Sequence, residues 1–466
     1  MISLFITFLP YLFVLYFLYR SFNDPVFIMG IPFLLFLGPC LFVEQAVLFA
    51  IPFRFIESTS GIGDLLLLIW LTICWVIFKV RINKYSEKTI GNTYSGKYIN
   101  ILDYFIVSLM IITIIGFSLV LNEFNIVKGV YDKFIILMSL FLGFFIIKDI
   151  AHHTEANVLK DFLYTIVVIN TIASGMYFIH QGLHITLYAT HNEYLTEIID
   201  GETITRTFWF MPNLLFFSIS YLLVVKRSKP FISIILLIIN ILAVYISYTR
   251  SFLIIAVILF ILYYLLSGYK SRNFGKSIKN LIIIGISSLA MFLAVSSFLP
   301  TSTQYFISRF EELGENPSFT PANNLVYRFY KTGVVINKMD PGKVLFGHGS
   351  VTETQSPVVK FVNKATADMA WAEIIFRWGY LGLILFFLLY VFSIFKAFLL
   401  FMSTDGLISQ FALLLLLTIL SQAIEGFTQF TIMYPNRFAL ALWHFGIMSA
   451  LLIAYNSHEN LKNIEN

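Results

Sequence analysis

The chain has 466 residues, of which 58% are hydrophobic and 12% charged, with a mean hydropathy of +0.83. These values exclude an ordinary soluble domain, and its apolar stretches repeatedly exceed the ~17 residues needed to cross a bilayer. The formal charge of +5 reports orientation rather than nucleic-acid binding, because membrane proteins collect Lys and Arg in cytoplasmic loops.

In chain order, spans are expected at 2–19, 26–52, 63–79, 101–121, 131–147, 162–181, 207–225, 231–247, 251–267, 281–299, 371–396, 407–424 and 437–455. The fold class is therefore an all-α polytopic membrane protein of about 12–14 transmembrane helices. Gly38-Pro39 can divide the second span into two short helices. The first run lacks a basic start and a small-residue cleavage site, so it reads as a span and not as a removable signal. Cys40 and Cys74 both lie in apolar runs and offer neither a disulfide framework nor a metal site. No internal repeat is visible, which disfavours transporters built from duplicated halves.

Charge orients the bundle. The connections holding Lys79, Arg81, Lys84, Lys88 and Lys97, then Lys226, Arg227 and Lys229, then Lys270, Arg272, Lys276 and Lys279, are strongly basic and belong in the cytoplasm. Alternation then puts residues 182–206, 248–250 and 300–370 outside. Three regions follow: an N-terminal bundle (1–299), a large external loop with short helices (300–370), and C-terminal helices with a short cytoplasmic tail (371–466).

Several residues stand out against this background. Arg250, in SYTRS, falls at an outer helix end, where a snorkelling side chain would equally explain it. The external segment keeps enough apolar residues to fold, and NNLVYRFYKTGVVINKM has helix-face spacing at Leu325, Phe329, Thr332, Val335 and Ile336. Asn323 or Asn324 would cap that helix. PGKVLFGHGS follows with glycines at 342, 347 and 349; they allow close backbone approach to a bound group, or serve as simple turn residues. In DMAWAEIIFRWGYLG, Asp368 sits at the outer lip, and Glu373 and Arg377 are four apart in the favourable order for a helical ion pair.

The order of these parts resembles the O-antigen polymerase and O-antigen ligase superfamily of bacterial membrane glycosyltransferases (GT-C type). The likeness covers mainly residues 245–382: SYTRS, then an external loop carrying NNLVYRFY and FGHGS, then DMAWAEIIFRWGYLG. In the ligase branch a histidine begins the last block; here the matching position, eleven residues before Gly379 and fourteen before Gly382, is Asp368. The resemblance therefore favours the polymerase branch.

What the resemblance implies is transfer of a glycan from a polyprenyl-pyrophosphate donor to a hydroxyl of a lipid-linked acceptor glycan, with inversion and without nucleotide sugar. The family's two arginines map onto Arg250 and Arg328. Fixed guanidinium groups suit a polyanionic leaving group, with Arg206 and Arg437 as further pyrophosphate contacts at outer helix ends. A carboxylate or an imidazole must accept the hydroxyl proton, Asp368 being the first choice and Glu373 the second, with His348, equally explained as a loop histidine, third. His348, Tyr327 and Trp371 are candidate glycan contacts, and Trp209, Tyr330 and Trp378 could also stack on sugars; all the aromatics are equally explained as membrane-interface residues. No cofactor and no metal are expected, because no carboxylate or histidine cluster has ligand spacing. Implied partners are the lipid-linked donor and acceptor, membrane lipid, a chain-length regulator and a flippase, and no nucleic acid. The implied location is a bacterial cytoplasmic (inner) membrane with the site facing outward. Two other readings stay open: a ligase delivering finished glycan to a lipid or protein acceptor, and a glycolipid flippase or transporter.

Overall fold

In a computed structural model the chain is described over residues 2–34, 62–86, 99–123, 128–179, 193–199, 202–207, 212–226, 229–247, 249–298, 300, 303–304, 307, 330, 332–334, 336–349, 370–428 and 441–455. Helices dominate these residues: α1 (Ile2–Ser21), α2 (Ile62–Ser86), α3 (Ile101–Glu123), α4 (Lys128–His152), α5 (Ala156–Tyr177), α6 (Pro212–Val224), α7 (Pro230–Ile246), α8 (Arg250–Lys270), α9 (Phe274–Phe298), α10 (Ala370–Ser403), α11 (Gly406–Thr428) and α12 (Ala441–Tyr455). Six of them are long and apolar enough to cross a membrane: α3, α5, α8, α9, α10 and α11. The chain is thus an all-α, multi-pass membrane protein.

Large apolar side chains face outward in helical stripes, such as Ile73, Val76 and Val80 on α2, Val107, Ile111 and Ile114 on α3, and Ile282, Ile286 and Leu293 on α9. Outward apolar stripes satisfy helices whose solvent is lipid. By contrast α11 is enclosed, with Phe411 to Ile419 all buried. It packs against α6, α8 and α10 and forms the centre of the bundle.

The up-and-down course is fixed by bonds between helix ends. Lys270, closing α8, donates to the carbonyls of Phe401 (2.6 Å) and Thr404 and to the Ser409 hydroxyl (2.7 Å) where α10 turns into α11. Tyr221 near the end of α6 donates to Lys160 O at the start of α5 (2.8 Å), and the Lys226 amide donates to Gln410 of α11 (3.2 Å). Lys79 of α2 pairs with Asp149 of α4 at 2.7 Å, and Arg81 donates to Ser21 O at the end of α1. At the opposite end the Tyr245 hydroxyl bonds Thr303 at 2.7 Å. Each bond joins ends that alternation assigns to one side, so the basic ends are gathered together.

Polar side chains inside the bundle are paired across helices, as a medium without water demands. Lys148 of α4 and Asp103 of α3 form a buried ion pair at 2.6 Å, and Asp103 also accepts from Ser449 of α12. Asn240 of α7 donates to Thr171 of α5 (2.7 Å) and accepts from Asn170 and Ser174, while Asn170 reaches Ser218 of α6 (2.9 Å).

Three expectations need correction. Residues 193–207, read as part of the external connection 182–206 and the start of a span, contain an antiparallel hairpin of β1 (Glu193–Ile199) and β2 (Glu202–Thr207). The sequence between them is Asp200-Gly201, the pair most favoured between hairpin strands. The expected span 207–225 accordingly begins later, at Pro212. The expected span 371–396 is not straight. Gly379 has φ 66° and ψ −168°, which interrupts α10. Trp371 and Tyr390 would lie ~28 Å apart in an unbroken helix, yet their ring centroids are 5.6 Å apart. Residues 370–378 therefore form a short arm that doubles back along the long arm, 380–403. Of the span expected at 26–52, residues 25–34 are described as a short apolar helical run buried against Phe17 and Phe162; the Gly38-Pro39 break lies outside the described residues.

Candidate functional site

The doubled-back arm is held by the glycine turn. His348 N donates to Phe376 O (2.7 Å) and Gly349 N to Arg377 O (3.0 Å), while Tyr380 N and Leu381 N donate to the carbonyls of Val344 and Leu345. Gly347, Gly349 and Gly379 all have positive φ. A Cβ on Gly347 would lie 2.4 Å from Arg377 backbone, one on Gly379 2.3 Å from Leu345 O, and one on Gly349 2.6 Å from Gly116 O of α3. The close approach expected at glycines 347 and 349 is therefore an approach to the protein's own backbone. Gly342 differs: its amide donates to Asp340, a turn arrangement. Trp378 completes the anchorage by donating to Thr113 of α3 at 2.9 Å.

This clasp positions Glu373 and Arg377. Arg377 Nε donates to Glu373, giving the i,i+4 ion pair that the spacing predicts, with Glu373 almost fully enclosed. His348 stacks on Phe376 at 4.7 Å, nearly parallel, with Nε2 3.4 Å from the Asp340 amide. The helix expected after Asn323 is present where described, with Tyr330, Thr332–Val334 and Ile336–Asn337 helical. Ile336 and Val344 pack with Met339 against Ile375, Phe376 and Val120, which fixes the end of the external segment to the arm.

Arg250 is the first residue of α8, half-buried, following Thr249 in extended conformation. A cation there adds to the positive end of the helix dipole and concentrates potential suited to an anion. A chain of contacts links this end of α8 to α11. Phe252 meets Phe216 (5.5 Å), Phe217 stacks on His444 (5.1 Å), and His444 bonds Gln422 (2.5 Å). Arg250 lies two residues outward from Phe252 and Glu425 three residues outward from Gln422, rises of ~3 and ~4.5 Å. Arg250 at the start of α8 and Glu425 near the end of α11 therefore lie toward the same end of two contacting helices.

Glu425 belongs to a cluster that the sequence reading did not single out. Glu425 and Gln422 are fully buried, and His444 and Tyr390 nearly so. Trp371, on the short arm, packs its ring against Tyr390 and Phe427, both at 5.6 Å. The signal was available: ionisable residues within apolar runs default to functional interest, but the expected span ended at residue 424.

The other expected site residues separate as follows. Arg206 pairs with Leu195 in the β-ladder, so it occupies a strand and not a helix end. Trp378 is buried and bonded to α3, and Trp371 is buried against the long arm; neither faces an open groove. Tyr330 is exposed. Arg328, Asp368, Arg437, Tyr327 and Trp209 lie outside the described residues. Among the described residues no group of three or more His, Cys, Asp or Glu is gathered as a metal site. Compared with known proteins, the chain matches no family model and no curated protein.

Proposed function

We propose that the chain is a polysaccharide polymerase of the bacterial cytoplasmic (inner) membrane, a glycosyltransferase resembling the O-antigen polymerase branch. It would move glycan from a polyprenyl-pyrophosphate donor to a hydroxyl of a lipid-linked acceptor on the outer side. The observation that carries this reading is Arg250: a half-buried guanidinium in the first turn of α8, at the end of the bundle opposite the basic ends. A permanent, planar cation at the positive end of a helix dipole fits a diphosphate leaving group held at the lipid boundary. Arg328 is assigned the same task, with Arg437 and Arg206 in support.

The acceptor hydroxyl needs a proton acceptor. Glu373 is engaged by Arg377, which makes it the weaker base, so Asp368 keeps that role. His348, stacked on Phe376 beside the arm, is assigned a glycan contact in this scheme. Inversion follows from a single displacement, since nothing in this set of residues calls for a covalent intermediate. No cofactor takes part in this scheme.

The experiment mixes purified protein with a synthetic polyprenyl-pyrophosphate oligosaccharide, without nucleotide or added metal, and resolves products by length. A ladder supports the polymerase; one transfer to a new carrier without lengthening makes the protein a ligase. Movement of intact glycolipid across a vesicle membrane without any new bond makes it a flippase, and would end the enzymatic reading.

A further inference from the structure

From Ala370 to Gly379 the short arm of α10 is buried at every residue except Arg377. The Arg377 side chain is 16% exposed and gives Nε to Glu373, itself 3% exposed. Its two Nη groups have no hydrogen-bond partner among the described residues. A carboxylate on Nε fixes the plane of a guanidinium and leaves its end-on fork of parallel N–H bonds open.

The surrounding fold holds this residue in place. Its carbonyl accepts from Gly349 N at 3.0 Å, Phe376 before it is packed with Met339 and Val120, and Trp378 after it is tied to Thr113. Its height follows from the long arm. Lys270 binds that arm at Phe401 on the basic side, and residues 380–401 rise about 32 Å from there, the thickness of the hydrocarbon layer. Arg377 therefore stands at the outer lipid boundary, at the end opposite the basic ends.

Geometry and charge select the ligand. Two parallel N–H bonds on a permanent cation match two oxygens of one anionic group, whereas a lone hydroxyl meets only half of the fork. The anion that a lipid boundary offers is phosphate, and a multiply charged phosphate outweighs the single charge of Glu373 where a carboxylate would not.

We propose that Arg377 is a further binding residue for lipid-borne phosphate, the diphosphate of the lipid-linked substrate, and that Glu373 is the residue positioning its guanidinium. That the phosphate is a diphosphate rests on the polymerase reading; that the fork takes phosphate does not. A phospholipid headgroup presents the same chemistry, and water around a snorkelling arginine is the ordinary alternative.

Full-length protein in phosphatidylcholine nanodiscs is titrated with sugar-free polyprenyl diphosphate, and in a second series is reconstituted with rising fractions of phosphatidylglycerol. Thermal midpoint is the readout. The wild type is expected to show a saturable rise with the diphosphate. Arg377→Lys keeps a cation beside Glu373 without the fork, so its ligand-free midpoint should stay near that of the wild type while apparent affinity falls about tenfold. Arg377→Gln should weaken binding at least as much. Glu373→Gln separates a ligand role from a structural one: its amide oxygen still accepts from Nε, but the charge opposing phosphate is gone. Affinity should therefore rise about threefold even though the ligand-free midpoint falls. Loss of affinity in Glu373→Gln as well overturns the inference, because the pair is then structural. Unchanged affinity in both Arg377 variants also overturns it and leaves the polymerase reading untouched. If the diphosphate fails to bind the wild type while phosphatidylglycerol raises the midpoint only when Arg377 is present, the phosphate site stands and the polymerase reading falls. No response to either lipid overturns both.

Discussion

Gly379→Ala tests whether the arm's reversal depends on a backbone that only glycine adopts. At φ 66° and ψ −168° a side chain costs ~1–3 kcal/mol. The new Cβ would also stand 2.3 Å from Leu345 O, which is backbone and cannot swing aside. The turn would have to retreat, giving up the bonds from Tyr380 N to Val344 O and Leu381 N to Leu345 O. At ~0.5–1.5 kcal/mol net for each, the total comes to about 2–6 kcal/mol. Gly285→Ala in α9 is the matched control, since its Cβ meets nothing within 4 Å and alanine favours the helix. Unfolding purified protein from mixed micelles with increasing SDS measures both. A Gly379→Ala variant within ~0.5 kcal/mol of wild type would mean that the doubled-back arm is not the stable arrangement.

Three other outcomes are expected. Asp103→Asn or Lys148→Met alone should each cost ~3–5 kcal/mol in the same unfolding assay, whereas the double change to Leu and Met should recover most of the loss, because a buried charge is harmful chiefly when its partner is gone. Arg250→Ala should abolish chain extension on a gel while leaving the protein inserted, and Arg250→Lys should restore little, since an ammonium lacks the planar fork; Arg328→Ala should do the same, and Asp368→Asn should slow extension. His153, whose hydrogen bond to Asp149 raises its proton affinity, should stabilise fully below its unfolded value of ~6.5, with the effect lost as pH rises through the raised value. Stability of wild type against His153→Gln, followed from about pH 5.5 to 8.5, should therefore converge at the alkaline end.

Most of the fold was legible because a bilayer leaves few choices: a run of apolar residues long enough to span must be a helix. The expected spans at 101–121, 231–247 and 251–267 differ from α3, α7 and α8 by only a few residues. What hydropathy does not encode is direction within an apolar run. Residues 371–396 are apolar apart from Glu373, Arg377, Ser393 and Lys396, and only the backbone at Gly379 reveals that the chain reverses. The hairpin was missed for the opposite reason: its signal is a dipeptide, Asp200-Gly201, between short strands, and a search for long runs passes over it. At the site, the Glu373–Arg377 pair was readable because helical spacing alone dictates it. The meeting of Trp371 with Tyr390 and Phe427 was not, because it depends on which faces of α10 and α11 meet.

The buried pair of Asp103 and Lys148 has a further consequence for biogenesis. Asp103 is completed by Ser449, 346 residues later in the chain, and Asn100 by the same serine. At a synthesis rate of roughly 5–20 residues per second, the ribosome needs about 20–70 s to deliver that partner. Throughout that interval the carboxylate of the nascent α3 has Lys148 as its partner but lacks the Ser449 hydroxyl, which arrives only with α12.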